Sequence, residues 1–215
     1  MTALPTPSTS SRASAPVPAK RLRSLARKKQ LVRVASELLS TVGVDYVRAP
    51  EVAEAAGVTR AVVYRFFPSR QALLSAVLEE FRRELEVRFE ERAPLLRETK
   101  DMATLESAVR GFVEASCDAI DATGAGGFLL LHMDGPDPEI AALTRATRDA
   151  LHRPWIARVA SITRVDPPLV AAVSAMAAAS SKAVLTLYTH RKLTRDQASD
   201  AVARGMRALF EEFQR

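Results

Sequence analysis

The sequence predicts an all-α protein, and three observations carry that expectation. Apolar residues recur at i, i+3 and i+4 along most of the 215 residues, no segment alternates with a convincing period of two, and Gly, Pro, Ser and Thr stand where helices would begin and end. A chain of this length buries most of its apolar surface without a disulfide or a metal. Its single cysteine, Cys117, cannot form an internal bridge, which fits a reducing cytosol, so a cytoplasmic protein is expected. The basic N-terminal segment is not followed by an apolar core, so it does not read as a signal peptide. The stretch from Leu169 to Tyr188 is mostly Ala and Ser with Lys182 inside it, and it reads as a buried helix, not a membrane span.

The elements follow in order. Residues 1–19 are rich in Pro, Ser and Thr, carry no hydrophobic period, and are expected to be a disordered tail. From about Lys20 the pattern turns helical, with Leu31, Val34, Ala35, Leu38, Leu39 and Val42 on one stripe. Gly43 is placed to end that helix in a left-handed cap. Pro50 suits the first position of a short helix, Glu51 to Ala56, where its missing N–H costs nothing. Gly57 stops it, Thr59 suits the N-cap of a helix running to about Phe67, and Pro68 and Ser69 punctuate. Ser69 would cap a long helix with Leu74, Val77, Leu78, Phe81 and Leu85 on its inner face. Further helices are expected at roughly Thr104–Asp121, from "DGPDPEI" to about Ile162 with a kink at Pro154, from "DPP" to about His190, and from Thr194 onward. "DATGAGG" reads as a flexible break and "FLLLHM" as a short apolar turn of helix. In the last helix Ala198, Ala201, Val202, Gly205, Leu209 and Phe210 are expected to face inward.

Charge is uneven along the chain. Up to Arg70 there are 12 Lys/Arg against 4 Asp/Glu, a net of +8, whereas the remainder holds 19 against 21, a net of −2. A basic first third on a near-neutral body is the footprint of a module that meets a polyanion. Within it, "EVAEAAGVTRAVVYRFF" has the requirements of a helix-turn-helix: small Ala53 and Ala56 where two helices cross, Gly57 free to take positive φ in the turn, and Val52, Val58, Val63 and Phe67 to lock the second helix inward. Arg60, Ala61, Tyr64 and Arg65 are left on the outer face of the second helix, the face a DNA major groove would meet.

The run from Leu31 to Leu78 resembles the N-terminal domain of TetR-type transcriptional regulators. The shared features are a leucine-rich first helix, Gly43, "EVAEAAGV", a tyrosine followed by "FF", and a "PSRQALL" exit. The resemblance implies a helix-turn-helix DNA-binding domain over 20–68 and a helical effector-binding and dimerisation domain over 69–215. It implies that Thr59 and Tyr64 contact phosphates or base edges, that Arg60 and Ala61 face the bases, and that Arg70 stands where the family usually has a phosphate-gripping lysine. An arginine adds a bidentate option there. Three positions depart from the family pattern. Arg48 replaces a Ser or Thr that contacts phosphate, Val62 a threonine, and Phe66 a His or Tyr, so Arg60 and Arg65 are expected to carry more of the recognition. Lys20, Arg21, Arg23, Arg27, Lys28 and Lys29 precede or open the first helix, and two readings stay open: a basic arm on the DNA backbone or in a minor groove, and a solvated run.

For the body, the resemblance implies a homodimer through the last two helices (about 167–190 and 194–213) and a palindromic operator read by two recognition helices. The small residues of "LVAAVSAMAAASSKAVLTLY" and the Leu209, Phe210 and Phe213 surface agree with such an interface, an ordinary buried helix being the alternative. The resemblance also implies an effector pocket, for which Phe81, Phe112, Ser116, Cys117, Phe128, His132, Met133 and Trp155 are candidates, each equally readable as plain core. The expected effector is small and largely apolar. The rivals are an effector-independent DNA-binding dimer, constitutive or architectural, and an enzyme using Cys117 or His132. Against the enzyme, His132, His152 and His190 lie far apart in sequence and no HExxH, CxxC, GxSxG or phosphate-cradling glycine loop occurs. No cofactor and no metal are expected.

Overall fold

The computed structural model describes residues 19–124, 127, 138–163 and 167–213, and among them there are helices and turns but no strand. The helices are α1 (Ala19–Val42), α2 (Ala49–Ala55), α3 (Arg60–Phe66), α4 (Arg70–Glu98), α5 (Met102–Thr123), α6 (Pro138–Thr163), α7 (Pro167–Thr189) and α8 (Arg195–Phe213), with a 3-10 turn at Val44–Tyr46. The expected tail, and the segments "AG" at 125–126 and Phe128 to Asp137, lie outside the described residues.

Local chemistry sets the boundaries. Ser69 caps α4 by accepting from the Ala72 N–H at 3.1 Å. At α5 a capping box forms between Asp101 and Thr104, which moves the start two residues ahead of the expected Thr104. Thr194 and Gln197 make the reciprocal pair that opens α8, at 2.9 and 3.2 Å. Pro50 lies one residue inside α2, because Arg48 is the N-cap. Gly43 has positive φ as expected, but its ψ of 172° makes it an extended link into the 3-10 turn and not a left-handed cap.

Two apolar clusters organise the chain. The first joins α1, α2, α3 and the first half of α4, from Leu31 through Val52, Val63 and Phe67 to Phe81 and Leu85. The second joins α5, α6, α7 and α8 around Leu105, Phe112, Trp155, Val173 and Phe210. The long helix α4 runs from one to the other, about 43 Å at 1.5 Å per residue. Phe89, Leu185 and Tyr188 touch both clusters.

Polar ties reinforce the seams. The Ser36 hydroxyl on α1 donates to the Thr123 carbonyl at the end of α5. Asp118 on α5 accepts from Arg92 of α4 at 3.4 Å and pairs with Arg195 of α8 at 2.7 Å, with Arg88 3.8 Å away. Arg110 and Arg207 bind Asp200 and Glu106 across the α5–α8 contact, at 2.6 and 3.1 Å. Arg158 of α6 donates to the Arg97 and Thr99 carbonyls between α4 and α5.

The last helix departs from expectation. Ala198, Val202 and Phe210 are buried, but Ala201 and Gly205 are exposed, and a Cβ on Gly205 would meet nothing within 4 Å. Phe210 belongs wholly to the core and offers no outer surface, and the Phe213 side chain lies outside the described residues.

Candidate nucleic-acid interface and inner cavity

The turn between α2 and α3 follows from glycine's backbone freedom. Gly57 sits at φ +63° with its N–H on the Glu54 carbonyl, and the Val58 N–H reaches back to the Ala53 carbonyl at 2.9 Å. This is a Schellman closure, and it needs a residue that tolerates left-handed φ. Open space surrounds the missing Cβ, so backbone conformation and not crowding is the reason for glycine.

With the turn set, α3 packs inward through Val63 and the following Phe67, 1% and 3% exposed. Thr59, Arg60, Ala61, Tyr64 and Arg65 are then all exposed, and at about 100° per residue the last four share an arc of roughly 140° that excludes Val63 and Phe67. Thr59 is the N-cap of α3 by backbone position, yet its hydroxyl makes no capping bond. The Arg65 guanidinium lies over the Phe66 ring, 5.0 Å from its centroid, so the phenylalanine that departs from the family pattern supports a cation. Arg48, Tyr64, Ser69 and Arg70 share the rim of a hollow of about 320 Å³ beside this face.

Arg70 has a second occupation. Its Nε donates to the Val47 carbonyl at 3.2 Å and its Nη2 to the Val44 carbonyl at 2.7 Å, so the start of α4 clasps the loop that leads into α2. The sequence alone held no sign of this, because the carbonyls belong to a loop 23 and 26 residues away.

Of the candidate pocket residues, Phe112, Ser116 and Trp155 line a cavity of about 130 Å³ inside the body. Phe112 meets Trp155 edge-on at 4.3 Å and Phe89 at 4.6 Å between centroids. Phe81 lies in the other apolar cluster and Cys117 is fully buried outside the lining. Phe128, His132 and Met133 lie outside the described residues, as does the His152 side chain. Leu85 and Phe89 of α4, Met206 and Phe210 of α8, and the cations Arg148 and Lys182 were missed as lining residues. A lysine inside an otherwise apolar helix was the one available signal for Lys182. A cavity of this size resembles an engineered one of about 150 Å³ that takes up benzene.

Burial, followed by the nearby Asp121 carboxylate, pushes the Cys117 thiol up to about 12, so it is no thiolate nucleophile near neutral pH. Among the described residues no group of three or more His, Cys, Asp or Glu side chains could hold a metal ion.

Residues 31–77 match the family described as bacterial regulatory proteins, tetR family. Among solved structures, the chain is similar to a TetR-like transcriptional regulator from Rhodococcus sp. RHA1, at 16% identity and TM-score 0.66, covering 84% of this chain and 93% of that one. It is similar to the fatty acid degradation regulator FadR from Bacillus halodurans, at 15% identity and TM-score 0.60, covering 85% and 96%. A tetR-family transcriptional regulator from Streptomyces coelicolor is 22% identical with TM-score 0.56, covering 86% and 80%. No curated protein matches the chain. At these identities the solved structures speak for the fold, and the match over 31–77 identifies that segment as a helix-turn-helix of the tetR-family type.

Proposed function

We propose that this chain is a TetR-type transcriptional regulator that binds a palindromic operator as a homodimer and is released from it by a small, largely apolar effector, acting as a repressor. The observation that carries the reading is the division of α3: Val63 and Phe67 anchor it, while Thr59, Arg60, Ala61, Tyr64 and Arg65 stand together in solvent. A short helix held rigidly at one edge with two arginines, a tyrosine and an unengaged threonine outward suits a major groove. Arg60 and Ala61 would read bases, and Thr59, Tyr64, Arg65, Arg48 and Arg70 would hold phosphates or the flanks of the groove.

Support for the dimer comes from α7. Its segment Pro168–Thr189 has mean hydropathy 1.5 yet only 17% of it is buried, and among the described residues it is the one helix long and apolar enough to cross a membrane. Met176 is half exposed, and Ala201 and Gly205 of the neighbouring α8 are exposed too. A second copy covering this face would hold two recognition helices about 34–36 Å apart, one turn of duplex. The residues of the helix-turn-helix unit (20–68) then serve DNA, and those from 69 onward serve effector binding and dimerisation.

Support for the effector comes from the cavity and from the helix that borders it. Leu85 and Phe89 are side chains of α4, whose first residue clasps the loop before α2. A ligand that favours one position of α4 thereby biases the spacing of the two recognition helices. Arg148 and Lys182, with the hydroxyls of Ser116, Ser174 and Ser181, border a lining that is apolar elsewhere, so an apolar body with one acidic end suits it.

The test is titration of the protein against its own upstream DNA, with and without Arg60→Ala. That variant should relax base preference and lose about 1–3 kcal/mol if the arginine pairs with a guanine. An unchanged footprint and mismatch profile would remove Arg60 from the recognition set. Thermal shifts with apolar acids and their neutral analogues test the effector. A ligand at one hundred times its dissociation constant adds about 2.7 kcal/mol.

A further inference from the structure

Helix α1 begins eleven residues before its burial does. Every residue from Ala19 to Lys29 is exposed, and burial starts only at Gln30 and Leu31. The overhang contains Lys20, Arg21, Arg23, Arg27, Lys28 and Lys29, and no acidic residue precedes Glu37 in the helix. Such a segment is unfavourable by itself. Cations at a helix N-terminus oppose the macrodipole, and like charges such as Arg23 and Arg27 at i, i+4 repel. Among the described residues tertiary contact offsets little of this, since Leu22 and Leu25 are themselves 53% and 50% exposed.

The cations are not spread evenly around the helix. At about 100° per residue, Lys20, Arg21, Arg23, Arg27 and Lys28 fall within an arc of roughly 160° centred on the direction of Leu31, with Leu22 opposite. Leu31 and Ala35 on that same side are fully buried against the helix-turn-helix unit. The basic face is therefore the continuation, past the edge of the unit, of the stripe that grips it. Its root is fixed beside the candidate interface. Gln30 Nε2 donates to the Ala56 carbonyl at the end of α2, 3.4 Å away, and Lys28 Nζ lies 5.8 Å from the centroid of Phe67, the residue that ends α3.

We infer that this overhang is a second DNA-binding surface, which lies along the phosphates flanking the site read by α3. The inference rests on the proposed DNA-binding reading of α3. Helical form decides how the surface engages. An α-helix is about 10–12 Å across with its side chains, whereas the minor groove is about 6 Å wide. The segment therefore rides over the backbone and does not thread into the groove as an extended arm would. Its 11 residues span about 16 Å, close to the axial length of five base pairs at about 3.4 Å each. Each half-site is thereby lengthened by about five base pairs that carry no base contacts.

The experiment uses the full chain and its K20Q/R21Q/R23Q/K28Q variant, glutamine being chosen because it keeps helix propensity close to that of the residues replaced. Arg27 is left in place because it bonds Gln30. Both are titrated with the upstream duplex, at several salt concentrations, and with the same duplex trimmed by five base pairs at each end. Loss of about four phosphate contacts lowers the slope of log K against log salt by about 3–4, so raising salt from about 50 to 200 mM costs the native protein roughly a hundredfold more than the variant. Trimming should weaken the native protein and leave the variant unaffected. Equal slopes and equal responses to trimming would overturn the inference; if Arg60→Ala still changed base preference, the reading of α3 would survive it. Absence of binding to any duplex by either protein would remove both.

Discussion

The clasp made by Arg70 can be broken by Arg70→Gln, and the size of the loss follows from its surroundings. Two donors of a charged group bind the carbonyls of Val44 and Val47, and Val47 is fully buried. Hydrogen bonds to charged groups contribute about 1.5–3 kcal/mol each. The Arg70 side chain is 37% exposed, so water replaces part of what is lost. Asp45, 4.0 Å away and 86% exposed, adds almost nothing. A net loss of about 2 kcal/mol is expected, which for a chain of this size lowers Tm by about 4–8 °C. Arg70→Lys keeps the charge but cannot span both carbonyls, so about half the loss should remain. Thermal unfolding followed by circular dichroism measures both. If the clasp is the main role, operator affinity falls with an unchanged salt slope, because the loop carrying Arg48 loosens while no phosphate contact disappears. A Tm within about 1 °C of the native value, with a salt slope reduced by about one, would refute this and make Arg70 a plain phosphate ligand.

Other outcomes follow from backbone and burial. Gly57→Ala should lower stability by about 1–2 kcal/mol through left-handed strain alone, and Gly57→Asn by less; equal losses in denaturant titrations would point to crowding instead. At the end of α7 the Schellman closure places Arg191 at φ 55°, its N–H on the Tyr188 carbonyl and that of Lys192 on the Leu187 carbonyl. Arg191→Gly should therefore raise stability by up to about 1 kcal/mol, and a loss would show that the arginine side chain matters more than its backbone. Cys117 should resist alkylation at pH 8 in the folded protein and react readily once unfolded; rapid labelling of the native chain would contradict its burial.

The helix-turn-helix was legible for a local reason. Gly57, the two alanines, Thr59, Val63 and Phe67 act within some fifteen residues of one another, and short-range sterics dictate which of them points outward. The stripe Leu74, Val77, Leu78, Phe81 and Leu85 was readable in the same way, since helical period alone assigns an inner face. The division of labour among distant side chains was not. Phe81 and Phe112 carry the same signal in sequence, yet one fills the core beneath the DNA-binding unit and the other a cavity wall. Ala201 and Gly205 fit the inward rhythm of α8, but α8 turns another face to α5 and α7 and leaves them exposed.

By itself the sequence determined the helical class, the α2–turn–α3 unit, its outward arginines and the concentration of positive charge before Arg70, because each depends on covalent neighbours and on a fixed 100° step. Only the tertiary structure decided that Arg70 binds two carbonyls of the loop before α2, that Asp118 gathers arginines from α4 and α8, and that α1 overhangs as an exposed basic helix. Those depend on how far apart helices come to rest, a quantity set by the volumes of all the side chains packed between them and written at no single position.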